Sequence, residues 1–184
     1  IQPDVSISKG ESMKKILIAI DMQNDFVSGA LGSPAAEAIV QSVVREIESD
    51  AYDAVFATMD THTDEYADTL EGKLLPVPHC IKDTKGWQIE KRVSEALKKR
   101  NAVIIEKPTF GSEKLKEEVK KLNPDEIVLV GLCTDICVCS NAILLRAALP
   151  DTPIHVVKDA CAASAEAKQQ EAFDIMESCQ ITAI

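Results

Sequence analysis

The chain has 184 residues, 46% of them hydrophobic and 27% charged, which suits one domain with a full apolar core. Thirty acidic residues against twenty basic ones leave a formal charge of -10. That balance repels phosphate backbones and anionic membranes, so nucleic-acid and membrane-surface partners are disfavoured.

No apolar run nears the roughly 18 residues of a membrane span. The six cysteines lie within apolar runs and helical segments rather than in a small disulfide-framed scaffold. A reduced, cytoplasmic protein is the expectation.

Residues 1–12, IQPDVSISKGES, are polar and aperiodic and precede Met13-Lys14-Lys15. They read as a disordered leader, leaving 13–184 as a single domain. From residue 16 the chain alternates between two kinds of segment. The run 16–20 is continuously apolar, as suits a strand buried on both faces. A helix is predicted over 34–50, with Ala36, Ile39, Val40, Val43 and Ile47 on one face. Strand runs at 54–59, 102–105, 127–130, 154–157 and 181–184 follow, separated by helical patterns near 90–100, 113–122, 137–149 and 165–177. The alternating charges of 90–100 and 113–121 read as solvated helix faces. Strand–helix repetition calls for a parallel sheet covered on both sides. The predicted fold is a three-layer, doubly wound α/β domain with a six-stranded parallel sheet in the order 3-2-1-4-5-6.

In such sheets ligands sit beyond the carboxyl ends of the strands, where the strand order reverses. Reactive residue types stand at four of those ends. Asp21 follows strand one, Asp60 and His62 follow strand two, and Lys107 follows strand three. Gly131-Leu132-Cys133-Thr134-Asp135-Ile136-Cys137 follows strand four. Cys137 is placed at a strand-to-helix turn, where helix N–H groups favour a thiolate. Asp21, with its pKa raised by burial, is a candidate proton acceptor, and Lys107 a candidate stabiliser of the thiolate. Backbone N–H groups of Cys133 and Cys137 are a candidate oxyanion hole. The remaining cysteines read as core residues.

A second cluster comprises Asp60-Thr61-His62 and Pro78-His79-Cys80. Asp60 and His62 lie two apart on extended chain, so their side chains point the same way. Two imidazoles with carboxylates suit Zn, Fe or Mn rather than Ca or Mg. Asp64, Asp68 and Glu71 compete for the fourth ligand position.

Taken in order, Asp21-Met22-Gln23-Asn24-Asp25-Phe26, Asp60-Thr61-His62, Pro78-His79-Cys80, Lys107 and the Gly131–Cys137 segment resemble the isochorismatase-like cysteine hydrolases. Within that superfamily they are most similar to the nicotinamidases, over about 16–163. The resemblance implies a catalytic triad of Asp21, Lys107 and Cys137, and a cis peptide bond before Cys133 that turns its N–H into the oxyanion hole. It implies a divalent metal on Asp60, His62 and His79, holding a pyridine nitrogen and a bound water, with Glu71 as fourth ligand and Asp68 as the alternative. Phe26 and Phe110 become the walls of a flat substrate pocket. The implied reaction is hydrolysis of nicotinamide to nicotinic acid and ammonia through a thioester on Cys137, a step of pyridine-nucleotide salvage. A homo-oligomer is expected by the same resemblance. Nicotinamidases often carry an aromatic just before the Pro-His, where this chain has Leu74-Leu75.

Other members of the superfamily, acting on carbamoyl amides or ureides or cleaving isochorismate itself, are the nearest alternatives. A thiol redox protein using Cys133, Cys137 and Cys139 is a third, weakened by the lack of a C-x-x-C spacing. An aspartyl-nucleophile phosphatase is disfavoured because Gln23 stands where a second carboxylate would be needed.

Overall fold

The structure, a computed structural model, describes residues 14–184; the leader expected at 1–12 lies outside the described residues. Six parallel strands form one sheet: β1 (Lys15–Ile20), β2 (Ala54–Asp60), β3 (Val103–Lys107), β4 (Glu126–Leu132), β5 (Ile154–Ala162) and β6 (Thr182–Ala183). Their order is β3-β2-β1-β4-β5-β6, as expected. The order reverses between β1 and β4, which opens a crevice at their carboxyl ends.

The sheet is buried on both faces because its apolar runs supply both. Leu17 and Ala19 of β1 face one core and Ile16, Ile18 and Ile20 the other. On the first side lie α2 (Pro34–Glu48) and α4 (Lys91–Lys99). On the second lie α5 (Glu113–Leu122), α6 (Cys139–Ala148) and α7 (Glu166–Ser178). Each fully buried Val or Ile, such as Val40 and Ile47 of α2, contributes about 1.5–3 kcal/mol. Local chemistry sets the helix starts. Ser33 accepts the Ala36 N–H and Pro34 follows it. Ser112 accepts the Leu115 N–H, and Glu90 accepts those of Arg92 and Val93. Two short helices, α1 (Asn24–Val27) and α3 (Leu70–Leu74), lie in the loops after β1 and β2.

Three expectations are corrected. The third run is not buried on both faces: β3 is an edge strand, and Val103 and Ile104 are exposed. β5 is longer than expected and reaches Ala162, with a register shift opposite Leu129–Gly131. The helix expected over 137–149 is divided, since a π-helical turn, Thr134–Val138, precedes α6. Cys137 therefore sits inside a widened turn rather than at the first residue of an α-helix.

Gly131 explains how β4 ends. Its φ is +119°, and a Cβ there would lie 2.2 Å from the Ile20 carbonyl oxygen of β1. Only glycine allows the two backbones to approach this closely. The chain then enters a cis peptide between Leu132 and Cys133, as the resemblance implied.

Candidate active site

Asp21 follows β1 directly and takes a left-handed conformation, φ 48°, which Asp tolerates better than most residues. The side chain is fully buried. Its Oδ1 accepts the Thr58 hydroxyl at 2.6 Å, and its Oδ2 is ion-paired with Lys107 Nζ at 2.6 Å. Lys107 is the last residue of β3, two strands away. Adjacent strands lie about 4.8 Å apart, so a long side chain is needed to cross the end of β2. Both members of the pair have side chains 0% exposed. Lys107 Nζ also donates to the Thr109 carbonyl at 2.9 Å and to Cys137 Sγ at 3.6 Å. The structure thus brings Asp21, Lys107 and Cys137 into one contact.

The electrostatics of this trio follow from its dryness. Burial pushes Asp21 above the ordinary carboxylate value, and the negative charge of Asp60 adds to it. The charge of Lys107, and hydrogen bonds from Lys107 and Thr58, offset this only in part. Burial alone would lower Lys107, but Asp21, Cys137 and Asp60 outweigh it and hold the ammonium charged. Burial and the Asp21 charge push the Cys137 thiol well above its usual value, against Lys107. This corrects the expectation of a thiolate favoured by a helix start: in a buried turn, desolvation wins. Burial thus favours a thiol at Cys137, beside a carboxylate at Asp21 that is more basic than usual.

The second cluster meets the first at Asp60, the last residue of β2, paired in register with Lys107. Asp60 Oδ1 is buried, has no hydrogen-bond partner among the described residues, and lies 3.6 Å from Lys107 Nζ. Its Oδ2 faces the other way, 2.9 Å from His62 Nε2 and 3.5 Å from His79 Nε2. Glu71 Oε1 stands 3.6 Å from His62 Nε2 and 3.5 Å from His79 Nε2. The donor atoms of all four residues lie within 4.8 Å of one another. Asp64 and Asp68 are exposed and outside the group.

These residues fit a divalent metal ion. Ligand bonds of 2.0–2.1 Å in a tetrahedron place neighbouring donors about 3.4 Å apart, and four of the six edges here measure 2.9–3.6 Å. His79 Nδ1 is 2.8 Å from the Val77 carbonyl, which fixes the tautomer that leaves Nε2 free to ligate. Buried Asp60 and half-buried Glu71 face the two imidazoles. Burial would raise Asp60, but hydrogen bonds from His62 and His79 and the charge of Lys107 hold it below the ordinary range.

Around the cluster, the Phe26 ring centroid is 5.4 Å from that of His79, and Tyr66 stands edge-on to His62 and His79 at 4.8 and 5.1 Å. Leu74, in the stretch before Pro78-His79, is 78% exposed, and the aromatic rings against the two imidazoles are those of Phe26 and Tyr66. Phe110 is also exposed, on the loop after β3. The structure does not bring it into contact with the clusters.

Four supporting residues escaped the sequence reading. Thr58 holds Asp21. Gln23 is fully buried; its side-chain amide accepts the Asp60 N–H at 2.7 Å and donates to the Asp60 carbonyl at 2.8 Å, fixing the end of β2. Asp25 accepts the Cys80 N–H at 2.8 Å, tethering the loop that carries His79. Asn141 in α6 donates to the Cys137 carbonyl. Polar residues inside otherwise apolar segments were the available signal at Thr58 and Asn141.

The fold is shared with known proteins. The isochorismatase domain model matches residues 15–184, and the chain belongs to the isochorismatase family. A Bacillus subtilis isochorismatase family protein, PncA, is 32% identical over 145 residues, covering 71% of this chain and 78% of that protein. The crystal structure of nicotinamidase/pyrazinamidase PncA from Bacillus subtilis superposes with a TM-score of 0.82 at 28% identity, over 93% of this chain and 99% of that one. Pyrazinamidase/nicotinamidase from Streptococcus mutans gives a TM-score of 0.81 at 28% identity, covering 93% and 100%. No helix among the described residues is long and apolar enough to cross a membrane.

Proposed function

We propose that the protein is a cysteine amidohydrolase that cleaves a small aromatic carboxamide, nicotinamide first, to the acid and ammonia. One observation carries the reading: a buried Asp21–Lys107 pair at 2.6 Å touches a cysteine 3.6 Å from the lysine and shares Asp60 with a four-donor cluster. Relatives named nicotinamidase/pyrazinamidase at 28% identity support the substrate class.

Asp21 takes the thiol proton of Cys137 while Lys107 holds the developing thiolate. The sulfur lone pair forms a bond to the carboxamide carbon, and the C=O π electrons move onto the carbonyl oxygen. The N–H groups of Cys133 and Cys137 receive that oxyanion, each such donor being worth roughly 2.7–4 kcal/mol. Asp21 returns the proton to the departing nitrogen, ammonia leaves, and a thioester remains on Cys137. Asp21 then takes a proton from water, whose oxygen attacks the thioester; the acid leaves and the thiol is restored. Asp60, His62, Glu71 and His79 would hold a divalent ion, zinc ahead of iron or manganese for this two-imidazole, two-carboxylate set, supplying a Lewis acid for a ring nitrogen. Phe26 and Tyr66 flank that place with flat apolar surface.

The test is ammonia release from nicotinamide, pyrazinamide and a carbamoyl amide, using intact and chelator-treated protein. Fast, metal-dependent release from nicotinamide is expected. Turnover of the carbamoyl amide alone would move the substrate, and no release from any of the three would overturn the reading.

A further inference from the structure

Asn141 sits in α6, one helical turn after Cys137, and is 1% exposed. Its neighbours in the core, Ala142 and Leu145, are apolar, and an apolar side chain would fill the same place. Burying an amide costs about 1–3 kcal/mol unless its hydrogen bonds are replaced. Here three are. Nδ2 donates to the Cys137 carbonyl at 2.8 Å and to the Phe110 carbonyl at 3.0 Å, and Oδ1 accepts the Ser112 N–H at 2.9 Å.

The destinations of these bonds give the residue its meaning. One ends on the proposed nucleophile. The other two end on the segment that follows Lys107, whose Thr109 carbonyl receives the lysine ammonium at 2.9 Å. Residues 108–111 make no backbone–backbone hydrogen bond among the described residues, and Pro108, Thr109 and Phe110 are exposed. Little besides Asn141 and the packing of Gly111 against Leu144 holds this segment to α6. The frame that seats the ammonium and the turn that carries the thiol are therefore joined through one amide.

Resting on the amidase reading, we propose that Asn141 is a positioning residue that sets the distance between Lys107 and Cys137. A misplacement of about 1 Å in such a pair costs about 10²-fold in rate. The experiment uses Asn141→Leu, which keeps the number of side-chain heavy atoms and removes all three bonds. Ammonia release gives kcat and KM. Alkylation by iodoacetamide, followed by peptide mass spectrometry, gives the rate at Cys137 relative to the half-buried Cys139 and Cys179 in the same molecules.

The expected result is a kcat about 10²-fold lower with KM within about threefold. Cys137 alone is expected to be alkylated more slowly, by about tenfold. If Asn141 served only the fold, all three thiols would react faster together, or the ratio would stay unchanged; either outcome overturns the inference. Should Asn141→Leu fail to melt cooperatively, Asn141→Ser, which puts a single hydroxyl in place of the amide, is used with the same readouts. The alkylation ratio needs no substrate. A wild-type protein silent on every amide would overturn the amidase reading, while the ratio would still decide the role of Asn141.

Discussion

The two clusters of buried charge share Asp60 but are built from different materials. Asp21, Lys107 and Cys137 come from the ends of β1 and β3 and the turn after β4, so the sheet itself sets their spacing. Of the four donors beside them, only Asp60 belongs to a strand. His62, Glu71 and His79 come from the loop between β2 and α4, and they meet through local ties: Asp25 to Cys80, Thr69 capping α3, and the Val77 carbonyl on His79. The difference shows in exposure, since Lys107 and Asp21 have side chains 0% exposed while Glu71 is 16% exposed. A charge pair carried on strands is dry, and its geometry is costly to disturb. The donor set carried on a loop is more open on one side, at Glu71.

Four tests probe that contrast, from the largest effect down. Cys137→Ala is expected to lower kcat by about 10⁴-fold or more while the melting transition survives; full activity in this variant would remove the nucleophile from the account. Lys107→Met leaves a buried carboxylate alone and should cost about 3–5 kcal/mol in urea unfolding, with most of that recovered when Asp21→Asn is added. Additive losses would mean the pair is not the unit it looks to be. His79→Ala touches only the loop-borne set. Metal content after gel filtration should fall, with at least about 10²-fold weaker metal binding, while Cys137 remains open to alkylation; loss of both would show that the two clusters stand or fall together. Thr58→Val is the finest probe. Asp21 must be ionised to accept a proton, and burial raises its pKa above the ordinary carboxylate value, so kcat/KM should fade on acidification at a higher pH than an ordinary carboxylate would give. Removing the Thr58 hydrogen bond, which lowers that pKa, should move the acid limb upward by less than about one pH unit. A downward movement would contradict the assignment of Asp21 as base.

The same contrast governs what could be read before the structure. Parallel topology says that strand ends converge, so Asp21, Asp60, Lys107 and the Cys137 turn were legible from their places after apolar runs. His62 and His79 were legible as metal-binding residue types, but Glu71 could be separated from Asp64 and Asp68 only by resemblance, because spacing along a loop does not say which side chain turns inward. Gln23, Asp25 and Asn141 engage backbone N–H or C=O groups, which every residue carries, so nothing in the sequence marks their partners. The exposed side chains of β3 were hidden for a related reason: an apolar run looks the same at the edge of a sheet as at its centre. The π-helical turn was illegible because the spacing 137–149 fits a plain helix equally well.

The central claim is that Cys137 forms a covalent acyl-enzyme at the dry, strand-built cluster. It is tested most directly by acid-quenching the protein during turnover of nicotinamide and mapping modified peptides by mass spectrometry. The account predicts a nicotinoyl group on the peptide bearing Cys137, formed and discharged at rates that match ammonia release. Steady ammonia release with no acyl group on Cys137, and undiminished in Cys137→Ala, would contradict it.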